Sequence, residues 1–340
     1  MEFNNIQNPI LTSPSELFKK KKVINQNPTN ILQGLKLSTD NISLTNYKSE
    51  KILSNLIETQ PIKFSLNSLI STNIKTNVGI SNFSANKIVG LPLRSANAIT
   101  GSQFINVTRN MSRPDREKAI LQEINKGNIP DFVRNLKDVN ISMVDDNGQK
   151  HNATIHVAPD YLAIGSNEDF IRIPMNPITA QKIADQTGTI LPTKKMVDQI
   201  YQQATAKMSP QPMQASSKMM SNEYYENHNN MVEQQRDNKG YRLGQLTAGH
   251  QKDVVITNQL DKNTGKVAIY GWHRTNGKAI QPLSTIHENT YEDYSHGIRL
   301  ISKNITVDGK KMNIDDVLKD PNLSKLLSDE GVIQNSRASR

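Results

Sequence analysis

The sequence predicts an α+β fold, with a mixed or antiparallel sheet and packed helices behind a low-complexity leader. Three observations lead there. Segments with period-two hydrophobicity come first, helical segments follow, and strands return towards the C-terminal end; this is not the regular alternation of a parallel α/β sheet. Residues 1–110 carry 17 Asn, 13 Ser and 9 Thr with neither His nor Trp. Such a composition offers too little apolar surface to offset the entropy of ordering, so this leader is expected to be disordered. Residues 111–340 carry the apolar periodicity and form the expected globular domain.

Each element has a local reason. Ser112-Arg113-Pro114-Asp115 supplies a cap and an early proline, Ile120, Leu121 and Ile124 share a helical face, and Gly127 ends the helix. A short helix follows over Asp131 to Leu136. Val139, Ile141 and Val144 then alternate, Asn147-Gly148 makes a turn, and Ala153 to Val157 returns, which spells a hairpin. Tyr161 to Ile164 and Phe170 to Ile173 read as two more strands. Asn176-Pro177 opens a helix that stops at Thr187-Gly188, and Thr193 opens another with Met196, Val197, Ile200 and Tyr201 on its apolar face. Pro210 and Pro212 close that one. Residues 213–240 read as a polar helix or loop crossing the surface. Strands are expected over Asp253 to Thr257, Lys266 to Tyr270 and Gly297 to Ile301, a hairpin at Asp308-Gly309, and short helices over Asp315 to Leu318 and Leu323 to Leu327.

The chain of 340 residues has a formal charge of +9. Residues 1–110 hold 12 Lys/Arg and 5 Asp/Glu, a net of +7, which leaves +2 on the rest. A near-neutral domain argues against a phosphate-binding face, so no specific nucleic acid is expected as a partner. The absence of cysteine excludes disulfides, thiol nucleophiles and thiolate metal sites. No stretch reaches the roughly 20 apolar residues of a membrane span. Met1-Glu2-Phe3 begins without the basic and apolar pattern of a secretory signal. A basic, signal-free leader with Lys19 to Lys22 suits a segment recognised by export or injection machinery. The corresponding expectation is a delivered bacterial effector that leaves the cytoplasm by a signal-peptide-independent route.

Chemistry concentrates near the C-terminal end. His250, His273, His287 and His296 fall within 47 residues, on what read as loops between strands. His151 and His156, in the first hairpin, read as structural. His273, His287, Asp293, Ser295, His296 and Arg299 are the candidate catalytic residues. Trp272, Arg274, Tyr291, Tyr294, Asp160 and Tyr161 are candidates for substrate contact. Three chemistries are open. In the first, His273 or His287 is a general base, Ser295 the nucleophile, Asp293 an orienting carboxylate and Arg299 an anion holder. In the second, His273, His287 and His296 hold a divalent metal, although no HExxH is present. In the third, the cluster binds a polar polymer without chemistry.

Two resemblances arise at these residues. Asp160 to Gly165, Pro192 to Tyr201, Tyr270-Gly271-Trp272-His273, Pro282-Leu283-Ser284 and Asp293 to Leu300 resemble an uncharacterised bacterial protein family over residues of about 112–335. This likeness implies one structural unit for that span and no settled activity. His287 with Ser295-His296-Gly297-Ile298-Arg299-Leu300 is similar to the L,D-transpeptidase signature, where a His precedes a Ser-His-Gly-Cys-x-Arg-like stretch. Here the nucleophile's place is occupied by Ile298 or is missing altogether, and a chain without thiols cannot run that mechanism. The expectation is a His-dependent hydrolase of a peptide or glycan polymer, with a non-catalytic ligand-binding or structural cargo as the alternative.

Overall fold

The first helix among the described residues lies inside the stretch expected to be leader. In the computed structural model, which describes residues 87–339, Thr100 caps α1 (Gly101–Thr108) in a reciprocal capping box with Gln103. The ordered domain therefore begins before the expected boundary at 110/111, and Ser112 is not where order starts. The physical reason is long-range. Phe104 and Ile105 are buried, but the elements that cover them come some 60 residues and more later in the chain. The Gly101 amide bonds Asp169 O at 3.0 Å, and the Ser102 amide and hydroxyl both reach the Asp169 carboxylate. The leader before residue 87 lies outside the described residues.

Ser112 caps α2 (Arg113–Asn125) by accepting from the Asp115 amide, as its sequence predicts. The chain continues through α3 (Asp131–Arg134), β1 (Lys137–Val144) and β2 (Lys150–Val157), then β3 (Ala163–Gly165) and β4 (Phe170–Arg172). Gly148 takes the positive φ that the Asn-Gly turn demands. Next come α4 (Pro177–Gln186), capped by Asn176, β5 (Thr189–Ile190), and α5 (Lys194–Gln203), capped by Thr193. α5 stops seven residues before Pro210 because the chain turns into β6 (Ala206–Lys207).

The segment read as crossing the surface is α6 (Asn222–Asn238), and it is half core: Tyr225, His228, Asn229 and Val232 are buried. The remaining elements are β7 (Thr247–Ala248), β8 (Lys252–Val254), α7 (Gln259–Lys262), β9 (Ile269–His273), β10 (Ala279–Ser284), β11 (His296–Gly297), β12 (Ile301–Ser302), β13 (Asn304–Val307), β14 (Lys310–Asn313) and α8 (Ile314–Lys319). The strand expected over Lys266 to Tyr270 is displaced to Ile269–His273, so His273 sits on a strand rather than in a loop.

The fold is α+β with mixed and antiparallel sheets. One sheet runs β14-β13-β2-β12-β5, with β1 also on β2, and all of its pairs are antiparallel. A second, four-stranded sheet runs β10-β9-β8-β11, with β11 parallel to β8, and β3–β4 and β6–β7 form two-stranded sheets of their own. Ile155, Val157, Ile190, Ile301 and Ile305 fill the first sheet's inner face. Among the described residues no helix is long and apolar enough to cross a membrane.

Candidate functional site

β9 carries every residue in burial, yet two consecutive positions near its end, Gly271 and Trp272, leave regular strand geometry. Gly271 has φ 108° and Trp272 has φ 56°, a left-handed conformation that costs a non-glycine residue about 1 kcal/mol or more. The indole N–H anchors this twist by donating to His250 O at 3.1 Å, and Lys252 Nζ lies 5.0 Å above the ring. Trp272 is therefore a buried anchor, and its N–H and face are not open to substrate. The twist presents His273 to the surface of α5.

There His273 Nε2 lies 3.0 Å from Asp198 Oδ1. The Tyr270 hydroxyl donates to the same oxygen at 2.7 Å, and Lys194 Nζ donates to Oδ2 at 2.9 Å. The imidazole stacks on Tyr201, with centroids 4.5 Å apart. Lys194, Asp198 and Tyr201 share one helical face at spacings of four and three, so a single helix supplies charge, carboxylate and ring. Burial alone would raise the Asp198 carboxyl; the bonds from His273, Lys194 and Tyr270 overcome it and hold the group below the usual range. Burial and the Asp198 charge push the Tyr270 hydroxyl up to about 12. Beside this group opens a cleft of about 590 Å³, lined by Asp198, Tyr201, Lys207, Tyr270, His273 and Asn276.

The rest of the expected site forms a different cluster. His287 stacks on Tyr291 at 4.1 Å, and the Tyr291 hydroxyl donates to Asp293 Oδ2 at 3.0 Å. The Ser295 amide and hydroxyl both donate to Asp293 Oδ1, at 2.8 and 2.5 Å. This is a turn that aims the hydroxyl at a carboxylate, so Ser295 is not paired with a base and the Ser–His–Asp relay is not built. His296 Nε2 stands 3.9 Å from Asp293 Oδ2, and neither ring nitrogen has a hydrogen-bond partner among the described residues. Burial pushes the His296 imidazole down to about 4, so it is neutral near pH 7. For Asp293, burial is again outweighed, here by His296, Lys252 and the Ser295 bonds, and the carboxyl is held low.

Arg299 corrects the anion-holder expectation. Its guanidinium is buried over the Tyr161 ring at 4.2 Å and donates to Ala158 O and Thr247 O, each at 2.9 Å. No face is left for a substrate carboxylate. Tyr161 donates to Asp253 Oδ2 at 2.8 Å, and Asp160 bonds Arg172 at 2.7 Å and His250 Nε2 at 3.1 Å. Asp160, Tyr161 and Tyr294 are buried. Tyr294 accepts the Met213 amide at 2.8 Å. These three are ties within the core rather than substrate contacts. Arg274 is exposed at the β9–β10 turn, where its carbonyl accepts from Tyr201. His151 and His156 pair with Asp308 and Asp138, each at 2.7 Å.

The metal expectation fares no better. His273 goes to Asp198, His287 to Tyr291 and His296 to the Asp293 turn. Among the described residues no group of three or more His, Asp or Glu is gathered as a metal would require. Sequence reasoning missed Asp198 as the partner of His273, because it lies 75 residues away. The readable signal was a lysine and an acid four apart on one helix. Comparison of the chain with known family models, curated proteins and solved structures gives no match.

Proposed function

We propose that the domain is a hydrolase of a peptide or glycan polymer, with His273 as general base and Asp198 as the carboxylate that orients it. One observation supports this reading: His273, only 3% exposed, lines the edge of an open cleft and has a carboxylate 3.0 Å from its Nε2. A carboxylate on Nε2–H selects the tautomer with its lone pair on Nδ1. Gly271 has no side chain to cover that edge, where a Cβ would stand 3.5 Å from Nδ1. A water beside Nδ1 gives up its proton as it attacks the scissile centre. The imidazolium that forms is stabilised by Asp198 and returns the proton to the leaving group. Asn276, Thr275 and Gln202 offer neutral polar groups to the hydroxyls or amides of a polymer.

The test is incubation of the full chain with peptidoglycan sacculi and with unlabelled peptide and glycan strands, reading released products by mass spectrometry. Wild type should release fragments, and His273→Gln and Asp198→Asn should not. Absence of products from every polymer with wild type would reject the reading.

A second reading, a non-catalytic cargo, is favoured by a specific observation: Asp293, Ser295, His296 and Arg299 are all buried and, His296 apart, engaged in internal hydrogen bonds. Both readings accommodate delivery. We propose that the basic residues before 87 address the protein to export or injection machinery. Removing residues 1–86 should abolish loading or secretion while leaving the folded domain, and unchanged delivery would reject the proposal.

A further inference from the structure

The cleft beside His273 is unevenly charged. Asp198 is the one carboxylate among its lining residues, and three donors already hold it: His273 at 3.0 Å, Tyr270 at 2.7 Å and Lys194 at 2.9 Å. Lys207 lines the same cleft, half-buried, and makes no ion pair among the described residues. Its ammonium donates to Gln202 O at 3.0 Å and lies 5.3 Å from the centre of the Tyr201 ring. His273 stacks on that ring too, so one tyrosine carries both the imidazole and the cation. Exposed Lys239 donates to Lys207 O at 3.2 Å, which brings a second ammonium to this side.

The β9–β10 turn adds a wall and two more cations. The Tyr201 hydroxyl pins Arg274 O at 2.6 Å, the Arg274 amide bonds Lys278 O at 3.0 Å, and Thr275, Asn276 and Gly277 line the cleft between them. Arg274 and Lys278 are exposed and make no ion pair among the described residues. The neutral groups are set as donors as well. Asn276 Oδ1 already accepts the Lys278 amide at 3.0 Å, and Gln202 Oε1 accepts from Gln199 Nε2 at 3.3 Å. Each exposed amide therefore has its NH2 left to give.

We propose that this cleft is a subsite for an acidic glycan, a sugar polymer carrying carboxylates. Lys207 takes a carboxylate, Asn276 and Gln202 donate to neighbouring hydroxyls, and the field of Arg274 and Lys278 draws the polymer in. An acidic peptide shares the charge, but no Ala, Val, Leu, Ile, Met or Phe lines the cleft to take its apolar residues. A nucleic acid shares it too, but Tyr201 and Tyr270 are 5% and 7% exposed and leave no open ring for a base to stack on. The inference rests on the hydrolase reading for the role of the cleft and narrows its substrate.

Hexagalacturonate tests it by calorimetric titration of the full chain at low ionic strength. Its fully methyl-esterified form is the neutral comparator, and hexaglutamate and hexauridylate are the other polyanions. The basic leader is common to every variant, so differences between variants report the domain. Wild type should bind hexagalacturonate at least about tenfold more tightly than the ester, and Lys207→Gln should lose about that factor. Lys278→Glu should weaken binding several-fold. Lys310→Glu, the same charge change at an exposed position on β14 of the other sheet, should leave it unaltered. The proposal fails if Lys207→Gln binds as wild type does, if Lys310→Glu weakens binding as much as Lys278→Glu, or if the ester, hexaglutamate or hexauridylate binds as tightly as hexagalacturonate. Binding by a wild type that releases no fragment from any polymer would keep this inference and remove the hydrolysis. Hydrolysis of a neutral glycan without preference for hexagalacturonate would do the reverse.

Discussion

His273 Nε2 and Asp198 Oδ1 meet at 3.0 Å across 75 residues of chain, where β9 crosses α5. The carboxylate fixes the ring, and His273 lines the adjoining cleft while remaining buried. If His273 acts as a base, Asp198→Asn should lower hydrolysis at least about a hundredfold by favouring the wrong tautomer. His273→Gln should abolish it. Thermal unfolding followed by circular dichroism should move only a few degrees in either variant. Loss of activity that merely tracks loss of fold would reduce the pair to a structural role.

The Ser-His-Gly-Ile-Arg stretch is predicted to act on stability. A Cβ at Gly297 would stand 2.5 Å from the Tyr161 ring. Gly297→Ala should therefore destabilise by about 2 kcal/mol or more through overpacking. Arg299→Lys replaces the planar fork that bonds Ala158 O and Thr247 O and loses the guanidinium's stacking over Tyr161, and should cost about 2–3 kcal/mol. Urea midpoints measure both. An unchanged midpoint with lost activity would restore Arg299 as a substrate contact.

Stability should be limited from both sides of pH. Burial holds His296 near 4 and His228 near 3, against an ordinary 6.5. Below pH 6.5 the unfolded chain takes up protons that these folded histidines refuse, so stability falls as pH drops from there towards 4. Glu117, raised to about 7, and Asp253, raised to about 6, run the other way. The folded protein keeps protons that the unfolded chain releases above pH 4, so their contribution falls as pH rises towards 7. Glu117→Gln should thus gain on wild type between pH 5 and pH 8, by a margin on the order of 3 kcal/mol at most. Urea midpoints across that range decide it, and a constant difference would contradict the burial argument.

Truncation should separate address from fold. A chain starting at residue 87 should unfold cooperatively like the full protein. A chain starting at residue 111 lacks Phe104 and Ile105, both 1% exposed, and should lose about 3 kcal/mol or more of burial. Sharp near-ultraviolet dichroism in the shorter chain would show that α1 is dispensable.

Local sequence determined a good part of this protein. Ser112, Asn176 and Thr193 cap the helices they precede, and Gly148 and Asp308-Gly309 turn the hairpins they were read to turn, because caps and turns depend on neighbours within four residues. The α+β class followed from the order of the periods. What the sequence could not determine is which side chains meet. Ser295 reads as a nucleophile until its hydroxyl is seen donating a hydrogen bond to Asp293; Arg299 reads as an anion holder until two carbonyls are seen to occupy it. Asp198 gains its partner only when His273 arrives from another element, and Glu117 carries no sequence signal at all. Protonation and partnership depend on burial and on groups tens to hundreds of residues apart, and only tertiary packing brings those together.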